Sequence, residues 1–87
     1  MFYVYLIKSQ RTQQLYTGCT ADLVKRISEH NADLNISTKG KGPFELIYFE
    51  GYKDKKDAFH REHNLKLRAN ALTGLKRRIR ESLGEAL

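Results

Sequence analysis

The sequence has one cysteine, one proline and no apolar run that approaches the length of a bilayer span. A lone Cys19 cannot close an internal disulfide, which points to a reducing, cytoplasmic setting and makes a buried thiol the simplest reading of that residue. The longest apolar stretches, Phe2 to Ile7 and Phe44 to Phe49, are a handful of residues long, where a helix needs about twenty to cross a membrane. No membrane partner is therefore expected, and no signal peptide is visible. A structural zinc site is not expected either, because no cysteine cluster is present and His60 and His63 do not have HExxH spacing. No segment reads as an element that would carry side chains to base edges in a groove. At 87 residues the chain is read as one α+β domain that buries about 60% of its unfolded surface, so any site must lie close to the surface.

Positive charge is what the sequence has in excess. Sixteen Lys and Arg against ten Asp and Glu give a formal charge of +6, which draws in polyanions at low ionic strength and makes nucleic acid the leading partner. Charge alone does not decide this, since basic residues also cover solvated helix faces. Lys39, Lys41, Arg77, Arg78 and Arg80 read equally as a grip on a phosphate backbone and as solubilising charge.

The order of elements can be read from the residue pattern. FYVYLI and LYTGC are rich in strand formers and flank the polar segment SQRTQQ, which is a hairpin signal. With Gln10 and Arg11 at the tip, pairing sets Tyr5 across from Tyr16 and Tyr3 across from Gly18. Alternation sends Phe2, Val4, Leu6, Leu15, Thr17 and Cys19 to the opposite face as a core layer. Thr20 is a suitable N-cap for a helix from about Ala21 to about Asn31, with Leu23, Val24 and Ile27 as its buried stripe. Arg26 and His30, four apart, share one side of that helix. The polar loop that follows carries Lys39 and Lys41 at its tip. FELIYFEGY makes a third strand, whose nearly continuous apolar character predicts a central or well-covered place in the sheet. A second helix is expected from Asp54 to about Arg68, with Ala58, Phe59, Leu65 and Ala69 on its apolar stripe and Glu62 among them. A basic C-terminal segment, 70–87, holds a helix from Leu72 to Leu83. The architecture is a small three-stranded antiparallel sheet flanked by about three helices.

YVY at Tyr3 to Tyr5, YTG at Tyr16 to Gly18, DLVKRISEH with Arg26 and His30, and the later AFHREHNLK with Glu62 together resemble the GIY-YIG nuclease domain. The likeness is to its small stand-alone members and is strongest over residues 2–68. It departs from the usual tripeptides at Tyr3, in place of glycine, and at Thr17, in place of isoleucine. The resemblance implies hydrolysis of a phosphodiester with one divalent cation; the leading expectation is a nuclease that uses Mg²⁺ or Mn²⁺ on nucleic acid, with DNA ahead of RNA. The resemblance assigns Tyr5 and Tyr16 to positioning or deprotonating water, Arg26 to the scissile phosphate, His30 to proton transfer and Glu62 to the metal.

The chemistry of these side chains fits those roles. A hard carboxylate oxygen suits Mg²⁺, a guanidinium forks onto two phosphate oxygens, and an imidazole exchanges protons near neutrality. A tyrosine at its ordinary pKa of about 10 is a poor base and needs help. Gly18 would let a phosphate or Tyr3 approach the strand closely. Plainer readings stand beside these. The tyrosines can be a cross-strand pair worth about 0.2–1 kcal/mol, and Glu62 can be an ion pair with Lys66 one turn on, which is compatible with metal binding. Three functions follow: a DNA endonuclease, a nucleic-acid-binding module with little chemistry, or a catalytic subunit to which a partner protein delivers substrate.

Overall fold

A computed structural model describes residues 1–84; the end of the expected basic C-terminal segment, residues 85–87, lies outside the described residues. The chain runs β1 (Phe2–Ser9), β2 (Leu15–Thr20), α1 (Leu23–Asn31), a 3-10 turn (Ile36–Thr38), β3 (Phe44–Tyr52), α2 (Lys55–Leu67), α3 (Ala69–Arg78) and the short α4 (Arg80–Leu83). The three strands form one antiparallel sheet in the order β2-β1-β3. The α+β class and the three-stranded sheet are as the sequence predicts.

The central strand is β1, not β3. Val4, Tyr5, Leu6 and Ile7 are all buried, because helices cover both faces of that strand. Val4 packs with Ala58, Leu65 and Leu75 from α2 and α3, while Tyr5 and Ile7 pack with Phe44 and with Leu23 and Ile27 of α1. Strand β3 lies at an edge and leaves Leu46 and Phe49 substantially exposed. Its apolar run lacks alternation for a different reason from two-sided burial. Leu6 pairs with Tyr48 and Ile7 with Leu46, so Ile47 is an extra residue in a β-bulge that inverts the pattern halfway along the strand.

The hairpin register is two residues away from the expected one. Tyr5 pairs with Gly18, Ile7 with Tyr16 and Tyr3 with Thr20. Ser9 holds a longer loop: its Oγ accepts the backbone N–H groups of Arg11 and Thr12 at 3.2 and 3.0 Å, and Gln13 turns the chain with φ +68°. A slip of two keeps every side chain on its expected face, whereas a slip of one would have inverted them all.

Asp22, not Thr20, caps α1, its Oδ1 accepting the Lys25 N–H at 3.1 Å. The buried side of α1 carries Leu23, Ile27 and His30, and Val24 is exposed, being about 100° round the helix from Leu23. In α2 the buried positions are Ala58 and Leu65. Phe59, one residue beyond Ala58, faces solvent. The expected helix 72–83 is divided at Ile79 into α3 and α4. That break lets both Leu75 and Leu83 reach the core, where an unbroken helix would set them about 80° apart.

One ion cluster fixes α2 to the sheet. The Glu50 carboxylate on β3 accepts from Tyr48 Oη at 2.7 Å, from Tyr52 Oη, and from Arg61 Nε and Nη2 at about 3.0 Å. Burial alone would raise the Glu50 pKa; the Arg61 fork and the two phenols outweigh it and hold the carboxyl below its ordinary value. The stabilisation is therefore present above the unfolded pKa and is lost as pH falls through the depressed one. Glu50→Ala strands a partly buried guanidinium and two phenols, and is expected to lower unfolding stability by about 3 kcal/mol. Urea titration at neutral pH measures this; a loss under about 1 kcal/mol would show that the cluster does not anchor α2.

Candidate active site

The expected residues meet at one cleft. Tyr5, Tyr16, Gly18, Arg26, His30 and Glu62 line a depression of about 440 Å³ beside the edge strand β2. Strand β1 supplies Tyr5, β2 supplies Tyr16 and Gly18, α1 supplies Arg26 and His30, and α2 supplies Glu62. Sheet pairing sets Tyr5 beside Gly18, helical spacing stacks His30 one turn beyond Arg26, and the Glu50–Arg61 anchor fixes the helix that carries Glu62.

Gly18 is there for Tyr5 rather than for Tyr3. A Cβ on Gly18 would lie 2.2 Å from Tyr5 Oη and 2.3 Å from its Cζ. The phenol thus crosses the bare backbone of β2 to reach α1. Tyr5 Oη lies 2.8 Å from His30 Nε2, and His30 Nδ1 lies 2.8 Å from Thr38 Oγ1. The Thr38 hydroxyl reaches the Asn35 carbonyl at 3.5 Å, so its oxygen accepts from Nδ1–H. That tautomer leaves Nε2 bare, and Tyr5 donates to it. Tyr5 is 4% exposed, His30 3% and Thr38 1%, a chain of polar groups sealed from water apart from its mouth.

Burial sets the protonation of this chain. It pushes the Tyr5 phenol up to about 12, with the Arg26 guanidinium pulling down and Glu62 pushing further up. Burial likewise lowers the His30 pKa, assisted by Arg26 and opposed by Glu29. The result near neutrality is a protonated phenol donating to a neutral imidazole.

Arg26 is partly exposed and its Nε is 3.6 Å from Glu29, an ion pair of little worth that leaves the guanidinium free to turn toward a phosphate. The Glu62 carboxylate is 13% exposed and 3.3 Å from Lys66 Nζ, so the expected ion pair is present. Among the described residues no group of three or more His, Cys, Asp and Glu could hold a metal ion. A single shielded carboxylate does not fit zinc, which takes three or four protein ligands. It fits Mg²⁺ or Mn²⁺, which keep several waters and take further oxygens from a substrate phosphate.

Tyr16 is less deeply placed than Tyr5. Its hydroxyl donates to Gln14 Oε1 at 2.9 Å, its ring meets Phe44 edge-on, and Lys41 Nζ lies 5.7 Å above that ring. Lys41 does not itself line the cleft but stands over a ring that does, and Lys39 is exposed on the same loop. Arg77, Arg78 and Arg80 are exposed on α3 and α4 and do not line the cleft. His60 and His63 are exposed on α2. Sequence reasoning missed Thr38 and Asn31. Thr38 orients His30, and the Asn31 side chain accepts the Phe44 N–H at 2.7 Å, tying α1 to β3. Each is a small polar residue in or before a loop, with no spacing to mark it.

Residues 1–80 match the family model described as the GIY-YIG catalytic domain. A UPF0213 protein of Clostridium perfringens is 43% identical over 67 residues, 76% of this chain and 71% of that one. A UPF0213 protein of Haloquadratum walsbyi is 38% identical over 65 residues, 74% of this chain and 72% of that one. The solution NMR structure of a UPF0213 protein of Bacillus halodurans is similar at a TM-score of 0.53 and 31% identity, covering 86% of this chain and 82% of the other.

Proposed function

Because the chain belongs to the GIY-YIG family and is akin to its small UPF0213 proteins, we propose that it is a single-domain endonuclease that hydrolyses DNA phosphodiesters with one Mg²⁺ or Mn²⁺. The family supplies a nuclease-type activity on nucleic acid. Metal dependence, DNA as substrate and a reducing cytoplasm as its setting are parts of the proposal; delivery of substrate by a protein partner is a separate reading. Selectivity is structure-directed or weakly sequence-specific, since among the described residues no element stands out as one that would carry side chains to base edges. Among the described residues no helix is long and apolar enough to cross a membrane.

The observation that carries this reading is the Tyr5–His30 hydrogen bond of 2.8 Å at the floor of a cleft that also holds Arg26 and Glu62. Arg26 binds two non-bridging oxygens of the phosphate and turns the scissile bond toward the phenol. With its pKa pushed up to about 12, a free Tyr5 phenolate amounts to roughly one part in 10⁵ at neutral pH. Tyr5 therefore works as a relay: it takes a proton from water while its own passes to His30 Nε2. Thr38 keeps the imidazole oriented for that transfer. Glu62 would hold the divalent cation, which when bound offsets charge on the phosphoryl group and the departing alkoxide. Tyr16 and Lys41 guide the strand at the rim.

The relay needs a neutral imidazole, and this fixes the pH dependence. Because burial lowers the His30 pKa from 6.5, the rate should hold on acidification past pH 6.5 and fall only as pH drops through the lower value. Cleavage of labelled DNA in Mn²⁺ from about pH 5 to about pH 9 tests this. His30→Gln should lose about 100-fold in rate and lack that acid limb. An unchanged profile in the variant would remove His30 from proton transfer, and no cleavage by the wild type on any DNA would overturn the proposal.

A further inference from the structure

The loop between α1 and β3 carries two exposed apolar side chains beside the cleft. Ile36 is 94% exposed and Leu34 72%, while the residues around Ile36, namely Asn35, Ser37 and Thr38, line the cleft itself. Single surface hydrophobics need no explanation. These two differ in standing on a braced turn. Asn35 Oδ1 accepts from Ser37 N and Oγ at 3.1 and 2.7 Å, Asp33 Oδ1 accepts from Gly40 N at 3.0 Å, Leu34 N donates to Glu29 O at 2.9 Å, and Thr38 is bonded to His30. The turn is thus tied to the same histidine that serves the phosphate site. Lys39 and Lys41 follow within five residues of Ile36.

Resting on the nuclease reading, we infer that Ile36, with Leu34 beside it, is a wedge that packs against unstacked bases next to the phosphate held by Arg26, and that the substrate class is DNA with an open base step, such as a junction between duplex and single strand. A β-branched side chain on a rigid turn enters a base step with little rotamer entropy to lose. Intact duplex must first be unstacked, at a cost of a few kcal/mol per step, and a junction is already open. The lysines on the loop bring the backbone down onto it through charge.

Binding in chelator, where no cleavage occurs, tests the wedge separately from catalysis. The probes are a fluorescein-labelled duplex and a splayed-arm DNA of the same sequence carrying 2-aminopurine at the junction. Wild-type protein should bind the splayed arm about tenfold more tightly, roughly 1.4 kcal/mol, with a rise in 2-aminopurine fluorescence. The Ile36→Ser, Leu34→Ser double variant should lose both the preference and the fluorescence rise, with duplex affinity and circular dichroism unchanged. A variant that keeps them, or a wild type without preference, overturns the wedge. Preference for the junction without cleavage in Mn²⁺ leaves the wedge standing and defeats the nuclease reading; cleavage without preference does the reverse. Failure to bind either DNA removes both.

Discussion

Glu62→Gln is expected to lower metal-dependent DNA cleavage by about a thousandfold while leaving the fold and DNA affinity close to wild type. A bound cation contributes several kcal/mol of transition-state charge stabilisation, and about 4 kcal/mol corresponds to that factor. Among the described residues Glu62 is the only carboxylate that lines the cleft, so none of them offers a second acid in its place. Its partner Lys66 is half-exposed, so the ion pair adds little to stability and unfolding should change by less than about 1 kcal/mol. With one protein ligand, cation affinity in the absence of DNA should be weak. Calorimetric titration with Mn²⁺ should show heat of binding only when DNA is present, and Glu62→Gln should abolish it. Unchanged cleavage in that variant would locate the metal elsewhere.

Gly18→Ala is expected to cost about 100-fold in cleavage and about 1–3 kcal/mol in stability, from a single added methyl group. The methyl would stand 2.2 Å from Tyr5 Oη. Tyr5 cannot yield easily, being 4% exposed and held at its far end by His30. The strand cannot yield either, because Gly18 is paired to Tyr5 through the sheet. The ring must tilt, and the bond to His30 breaks. Coupling separates this account from general damage: in a Tyr5→Phe background, where the relay is already absent, adding Gly18→Ala should lower the rate little further. A Gly18→Ala protein with wild-type rate and melting temperature would mean that the glycine has no part in seating the phenol.

The faces of the hairpin were legible in the sequence because side chains alternate strictly along a strand, and that parity survived a register that moved by two residues. The register itself was not legible. It depends on Ser9 accepting two backbone donors and on Gln13 at positive φ, neither of which changes the apolar pattern. The identity of the central strand was misread for a related reason, since a bulge at Ile47 and burial on both faces leave the same unbroken run of apolar residues. On the helices, counting apolar residues drew in Val24 and Phe59, both one position off the true buried face. Of the candidate site residues, Tyr5, Tyr16, Gly18, Arg26, His30 and Glu62 line one cleft. The resemblance to the GIY-YIG domain singled out Arg26, His30 and Glu62, while helical spacing by itself gave only the shared side of Arg26 and His30 and the Glu62–Lys66 ion pair. Thr38 was hidden because its role depends on a loop folding back onto His30.

Single-turnover cleavage of an end-labelled splayed-arm DNA, in Mn²⁺ and in chelator, asks most directly whether the cleft is a metal-dependent phosphodiesterase. The wild-type protein should give a discrete product with the cation and none with chelator. Glu62→Gln, folded to the same extent, should give none in the same time. Product formed at equal rate in chelator, or by Glu62→Gln, would contradict metal-assisted hydrolysis at this cleft, as would intact DNA after prolonged incubation of the wild type with cation.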